Sequence, residues 1–179
     1  MNRPQAYFTF VLTAPLAAGL FGVLHNQLSY SVAPEYFTQF KFIQFHMLES
    51  ELPARLLASA VGWRASWWMG IPLGLLGGLG LLWSHAGAGR KRALWASLVA
   101  MLVTTLLVAI GGLLYGWFVT REVDLSLYQA WFIPDGVDVR RFLRAGHMHN
   151  AAYLGGVLSI AMAWIVQLWH GRFSPSSAL

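Results

Sequence analysis

"LWASLVAMLVTTLLVAIGGLLYGWF" runs from Leu94 to Phe118, 25 residues without an acid or a base. A helix rises about 1.5 Å per residue, so about 20 apolar residues cross a hydrocarbon core of about 30 Å. This stretch is long enough with some tilt to spare. Three further runs read the same way: Tyr7–Leu24, Trp67–Trp83 and Ala151–Trp169. The second is short, and Arg64, Ala65 and Ser66 extend it toward an interface. Across all 179 residues, 57% are hydrophobic and 11% charged, too apolar a balance for a soluble domain of this size. The expectation is an all-α polytopic membrane protein. It is a four-transmembrane-helix bundle forming one domain over residues 1–179, with spans at about 7–24, 67–83, 94–118 and 151–169.

Charge placement orients the spans. All seven acids (Glu35, Glu49, Glu51, Glu122, Asp124, Asp135 and Asp138) fall in segments 25–66 and 119–150. Seven of the twelve basic residues join them, so those two segments are together neutral. The other five bases, Arg3, Arg90, Lys91, Arg92 and Arg172, sit in segments without an acid and carry the whole net charge of +5. Lys and Arg in short loops mark the cytoplasmic side. Both termini and "HAGAGRKRAL" (residues 85–94) are therefore expected inside a bacterial-type inner membrane, with loops 25–66 and 119–150 outside. The high pI is a topology signal, lipid is the expected partner, and nothing suggests nucleic acid. The apolar N-terminal run has a basic start and an alanine-rich end, as secretory signals do. It continues to Leu24 with no clear small-x-small site, and it is read as a retained first span.

Cysteine is absent, which excludes disulfides and thiolate chemistry. No internal repeat is evident. In the first outer loop, "SVAPEYFTQFKFIQFHMLES" (residues 31–50) places Pro34 and Glu35 at a helix start, where a missing N–H costs little and a carboxylate suits the dipole. Phenylalanines at 37, 40, 42 and 45 alternate with Gln39, Lys41 and Gln44. That pattern predicts an amphipathic helix lying on the outer interface. Asp138 is placed to cap a turn leading through Arg140, Arg141 and Arg144 into the fourth span.

Each span carries small residues at helical spacing: Ala14, Ala18 and Gly22; Gly70, Gly74 and Gly78; Gly112 and Gly116; Ala152, Gly156, Ser159 and Ala163. Such stripes let helix backbones approach closely in a bilayer. Extended outward, the first stripe reaches His25 and the fourth reaches His149. Both imidazoles are thus expected to project from the packed faces of their helices at one end of the bundle. Ionisable groups at that depth tend to face protein and to mark function.

Other donors share the outer side. His46 and Glu49, three apart, fall on one face if helical. Glu35 and Tyr36 precede them, and His147 is two residues from His149. Asn26, Gln27, Tyr30 and Asn150 are placed to orient ligands. The expected metal set is His25, His149, His46, Glu49, Glu35 and His147, suited to iron, copper, zinc or manganese. For His147 a hydrogen bond to a lipid headgroup is an equally simple reading, and for Glu35 a helix-start role. Arg140 and Arg144 could form an anion or haem-propionate patch, or pair with acids and headgroups. The function expected is a membrane metalloprotein, read as a metal-dependent oxidoreductase acting on oxygen, a small oxidant or a quinone-like lipophile. Two alternatives remain open. One is a haem b protein ligated by His25 and His149, with His85 and His170 as a remote second pair. The other is a non-enzymatic transporter or assembly subunit, either as a homo-oligomer or with a membrane partner.

Overall fold

The computed structural model describes residues 1–84, 87–122 and 124–172. His85 and residues 173–179, which include the Ser/Pro tail, lie outside them. The described residues form helices and turns, with no strand among them. Four stretches, Arg3–Val32, Ala54–Trp83, Arg90–Val119 and Val139–Gly171, are long and apolar enough to cross a membrane. Each continues past the apolar run that announced it. Helix α1 (Arg3–Val32) starts at a capping box: the Gln5 amide donates to Asn2 Oδ1 at 2.9 Å, and the Asn2 amide donates to Gln5 Oε1 at 3.0 Å. It ends eight residues beyond Leu24. The polar residues of that extension are consumed by protein contacts, so the backbone has no reason to unwind.

The faces of α1 show how lipid inverts the usual pattern. Phe8, Leu12, Leu16, Leu20, Leu24 and Leu28 recur every four residues and are exposed, Leu12 to 75%. The buried face carries Ala6, Phe10, Ala14, Gly22, His25 and Ser29. Large apolar side chains face outward, where acyl chains welcome them, and small or polar ones face protein.

After α1 come α2 (Pro34–Tyr36), a π-helical turn (Phe37–Lys41) and α3 (Phe42–Gln44). The amphipathic helix expected here is thus a short, interrupted excursion. It closes on His46, whose φ of 55° is left-handed. The Met47 amide donates to Phe42 O at 2.8 Å and the His46 amide to Ile43 O at 3.1 Å. Those two bonds form a Schellman ending with His46 as its left-handed residue. The second span is built from α4 (Ala54–Ser66), a 3₁₀ turn (Trp67–Met69), α5 (Gly70–Gly77) and α6 (Gly80–Trp83). Pro72 accounts for the tight turn, because a proline cannot bond the carbonyl four residues back and its ring crowds it, here at Trp68. Two long helices follow, α7 (Arg90–Val119) and α8 (Val139–Arg172). Asp138 caps α8 by accepting from the Arg141 amide at 3.1 Å.

Packing is closest within two pairs, α1 with α4–α5 and α7 with α8. In the first pair the backbones touch at Gly22 and Gly62, where a Cβ on either would overlap the other's carbonyl oxygen. One turn on, Asn26 Nδ2 donates to Ala58 O at 2.9 Å. Farther along, a Cβ on Gly70 would lie 2.5 Å from both Ala14 O and Pro15 Cα. In the second pair, Gly112 admits Ala151 and the His147 backbone. Two apolar cores result. One, near the termini, holds Phe10, Leu81, Leu94, Leu98 and Met101. The other, at the loop end, holds Tyr36, Phe37, Phe42, Val61 and Phe142. A buried glutamine ties the elements near the termini: Gln167 Nε2 donates to Gly77 O at 2.9 Å and to Ser97 Oγ at 3.1 Å.

Candidate functional site

Where the two helix pairs meet, between the two cores, a cavity of about 160 Å³ remains. A water needs roughly 10–15 Å³ on this measure, so the space suits a molecule of about a dozen heavy atoms. Its deeper wall is apolar, with Ala14, Ala18, Leu73, Leu98 and Met101. Its loop end is polar, with His25, Asn26, Lys41, Gln44, His149 and Tyr153.

The structure brings His25 and His149 together from opposite ends of the chain, their rings edge to face with centroids 4.6 Å apart. Phe21 stacks on His25 at 5.6 Å, and Tyr36 lies against His149 at 4.9 Å. Ser29 Oγ lies 3.2 Å from the His25 carbonyl oxygen, to which it can donate. His149 Nε2 is 3.1 Å from the same hydroxyl. Asn26 spends its amide protons toward Ala58, so its Oδ1 faces His25 Nδ1 at 3.4 Å as an acceptor. His25 Nε2 is buried against the Met148 backbone of α8, without a hydrogen bond of normal geometry. The pair thus sets two imidazoles side by side at the polar end of the chamber.

Lys41 is the cation at this wall. It occupies the last position of the π-helical turn, and such turns re-aim side chains and are frequent at functional sites. Its ammonium donates to Gln44 Oε1 at 2.9 Å and lies over the Phe40 ring at 4.5 Å and the Tyr36 ring at 5.5 Å. Among the described residues no carboxylate lies within ion-pair distance of it. Burial pushes the ammonium down to about 8 and pushes the Tyr36 hydroxyl up. Lys41, His149 and Tyr153 also line a second hollow of about 270 Å³, walled on its far side by Trp131, Phe132 and Asn150.

The rest of the expected metal set does not join this pair. Among the described residues no group of three or more His, Cys, Asp or Glu is gathered where an ion could be held. His46 and Glu49 lie in exposed turns, not on one helical face, because the left-handed His46 ends the helix between them. His147 points the other way around α8, into a box of Tyr115, Tyr128 and Trp131, with its Nε2 3.2 Å from the Tyr128 hydroxyl. Glu35 sits in the first turn of α2, with Oε2 buried and unbonded. The His25 and His149 rings are in edge-to-face contact, with no gap between them in this structure. His170 bonds the Val166 carbonyl at 2.9 Å.

The orienting residues divide. Asn26 does contact His25, whereas Gln27 bonds Arg55 O and Ser59 Oγ on α4, each at 2.8 Å. Tyr30 packs on Phe37 and under Arg55, and Asn150 is exposed on the second hollow. Arg144 does not face open solvent as half of an anion patch: it bonds Thr120 Oγ1 at 3.0 Å and lies 4.0 Å over the Trp117 ring, while Arg140 is exposed. Sequence reading missed Ser29, Lys41 and Tyr153. Ser29 was open to it, being four residues past His25 on the same helical face; nothing in the sequence marks the π-helical turn that delivers Lys41. No family model, no curated protein and no solved structure matches the chain.

Proposed function

We propose that the chain is a multi-pass protein of a bacterial-type inner membrane, a four-helix bundle with its loop end outside and residues 34–44 at the outer interface. Its cavity receives a lipophilic redox carrier of the quinone type. The observation that carries this reading is the pair of adjoining imidazoles, His25 and His149, at the polar end of an apolar chamber of ligand size. Ligand sites are commonly apolar with a few convergent polar groups, as here. A quinol ring donates its hydroxyls to the two imidazoles, and a quinone carbonyl accepts from Lys41. Oxidation of the quinol releases two protons to the polar groups at the chamber's loop end, and two electrons, which pass to oxygen or to a membrane partner.

The metal expectation reduces to this imidazole pair, one ligand short of the three that catalytic zinc sites use, with a cation nearby. Protein in lipid nanodiscs should bind decyl-benzoquinone saturably, and His25→Leu should weaken binding by roughly tenfold, the worth of one buried hydrogen bond. Elemental analysis of the same preparation reads on a bound metal. Quinone uptake that does not saturate, or that His25→Leu leaves unchanged, removes this reading.

A further inference from the structure

We infer that the cavity selects an oxygen acid, a head group with an ionisable O–H on an apolar body, whose oxyanion pairs with Lys41. This rests on the reading of the cavity as a ligand site and specifies its head group. Lys41 is a cation at a largely apolar wall, held by one amide oxygen and two ring faces and by no carboxylate within ion-pair distance among the described residues. Lys41 is partly withdrawn from water, and an anion in the cavity would pair with it. Beside it stands the His149 ring, which contacts Ser29 through Nε2 and lines the same cavity. A plain ester or ketone brings no charge to Lys41, whereas an acid whose O–H proton has passed to solvent pairs its oxyanion with the ammonium. No oxidant or reductant is involved. The body then runs along α1 and α8 from His25 to Ala14 and from His149 to Ser159, about 15 Å of apolar wall.

Two sources share this chemistry, the carboxyl of a fatty acid and the hydroxyl of a quinol. The test uses protein in zwitterionic nanodiscs and four probes: laurate, methyl laurate, decyl-benzoquinone and its reduced quinol. Binding is read by equilibrium dialysis. Laurate should bind at least roughly tenfold tighter than methyl laurate, as a charge-assisted pair implies. Lys41→Met should collapse that ratio to about one and leave methyl laurate unchanged, while Lys41→Arg preserves it. A ratio near one in the unmodified protein overturns the inference, whatever the variants do, as does a preference that survives Lys41→Met. Quinol binding tighter than quinone, with no laurate preference, also overturns the acid rule but leaves the quinone reading standing. Laurate preference dependent on Lys41, with neither quinone nor quinol bound, upholds the inference and removes the redox reading. If both laurate and quinol show the preference, the acid head is general and the body is not selected.

Discussion

Gly62→Ala should loosen the protein at the place that sets the histidine pair. The added Cβ would overlap Gly22 O and lie 3.0 Å from Asn26 Nδ2, against a backbone that cannot rotate away. Restoring ordinary contact requires α1 and α4 to part by about 1 Å, and a gap of that size forfeits up to half the dispersion energy of each facing contact. Overpacking of this kind costs about 1–3 kcal/mol. The same movement stretches the bond from Asn26 Nδ2 to Ala58 O, 2.9 Å long, worth about 0.6–1.7 kcal/mol inside a membrane. Against these stands a gain of about 1 kcal/mol from alanine's helix propensity. The net loss is about 1–3 kcal/mol, which lowers the melting temperature by several degrees for a chain of this size. Tryptophan fluorescence of detergent-solubilised protein during heating reads it. Gly111→Ala is the control, since a Cβ there meets nothing within 4 Å and should be neutral or slightly stabilising. A Gly62→Ala protein as stable as Gly111→Ala would refute the backbone crossing.

Two further outcomes follow from buried polar groups. Lys41 has a folded value near 8 against an ordinary 10.5. Between those values the unfolded chain holds more protons, so stability is flat below pH 8 and rises from pH 8 toward pH 10.5. The rise has a ceiling of about 3 kcal/mol, which partial exposure lowers to about 1–2 kcal/mol. Tyr36, whose hydroxyl is pushed up, opposes it above about pH 10. Melting curves at pH 7.5 and 9.5 should show the increase in the unmodified protein and not in Lys41→Met; parallel curves would contradict the buried cation. Gln167→Leu should change stability by no more than about 1 kcal/mol, because it removes two bonds but also an unbonded buried Oε1. Gln167→Glu should cost several kcal/mol by burying a charge. Equal melting temperatures for the two would argue against that glutamine's burial.

The spans were legible because lipid exposure is written in hydropathy, and the Leu12–Leu16–Leu20–Leu24 stripe is its plainest form. The meeting of His25 and His149 was legible too, since small residues at helical spacing fix which face is packed. Helix ends were not. Asn26, Gln27 and Ser29 read as loop because they are polar, yet their partners on α4 and α8 keep them helical. Gly62 was hidden for the same reason, falling outside the apolar window although it makes the tightest crossing with α1. His46 looked like a ligand three residues from Glu49, and its left-handed backbone is a feature no side-chain pattern reveals. His147 and His149 are two residues apart and so point about 200° apart on α8, one into the cavity wall and one into the Tyr115–Tyr128–Trp131 box. A count of histidines on one side of the membrane could not separate them.

Solid-state NMR on ring-labelled histidine in lipid bilayers bears most directly on the imidazole pair. Single His→Gln variants assign the six histidines. At neutral pH a through-space cross-peak should join the His25 and His149 rings. The Ser29→Ala variant should shift the His149 Nε2 resonance. Rings without a cross-peak would mean that the two imidazoles do not meet at the chamber on which the proposed chemistry depends.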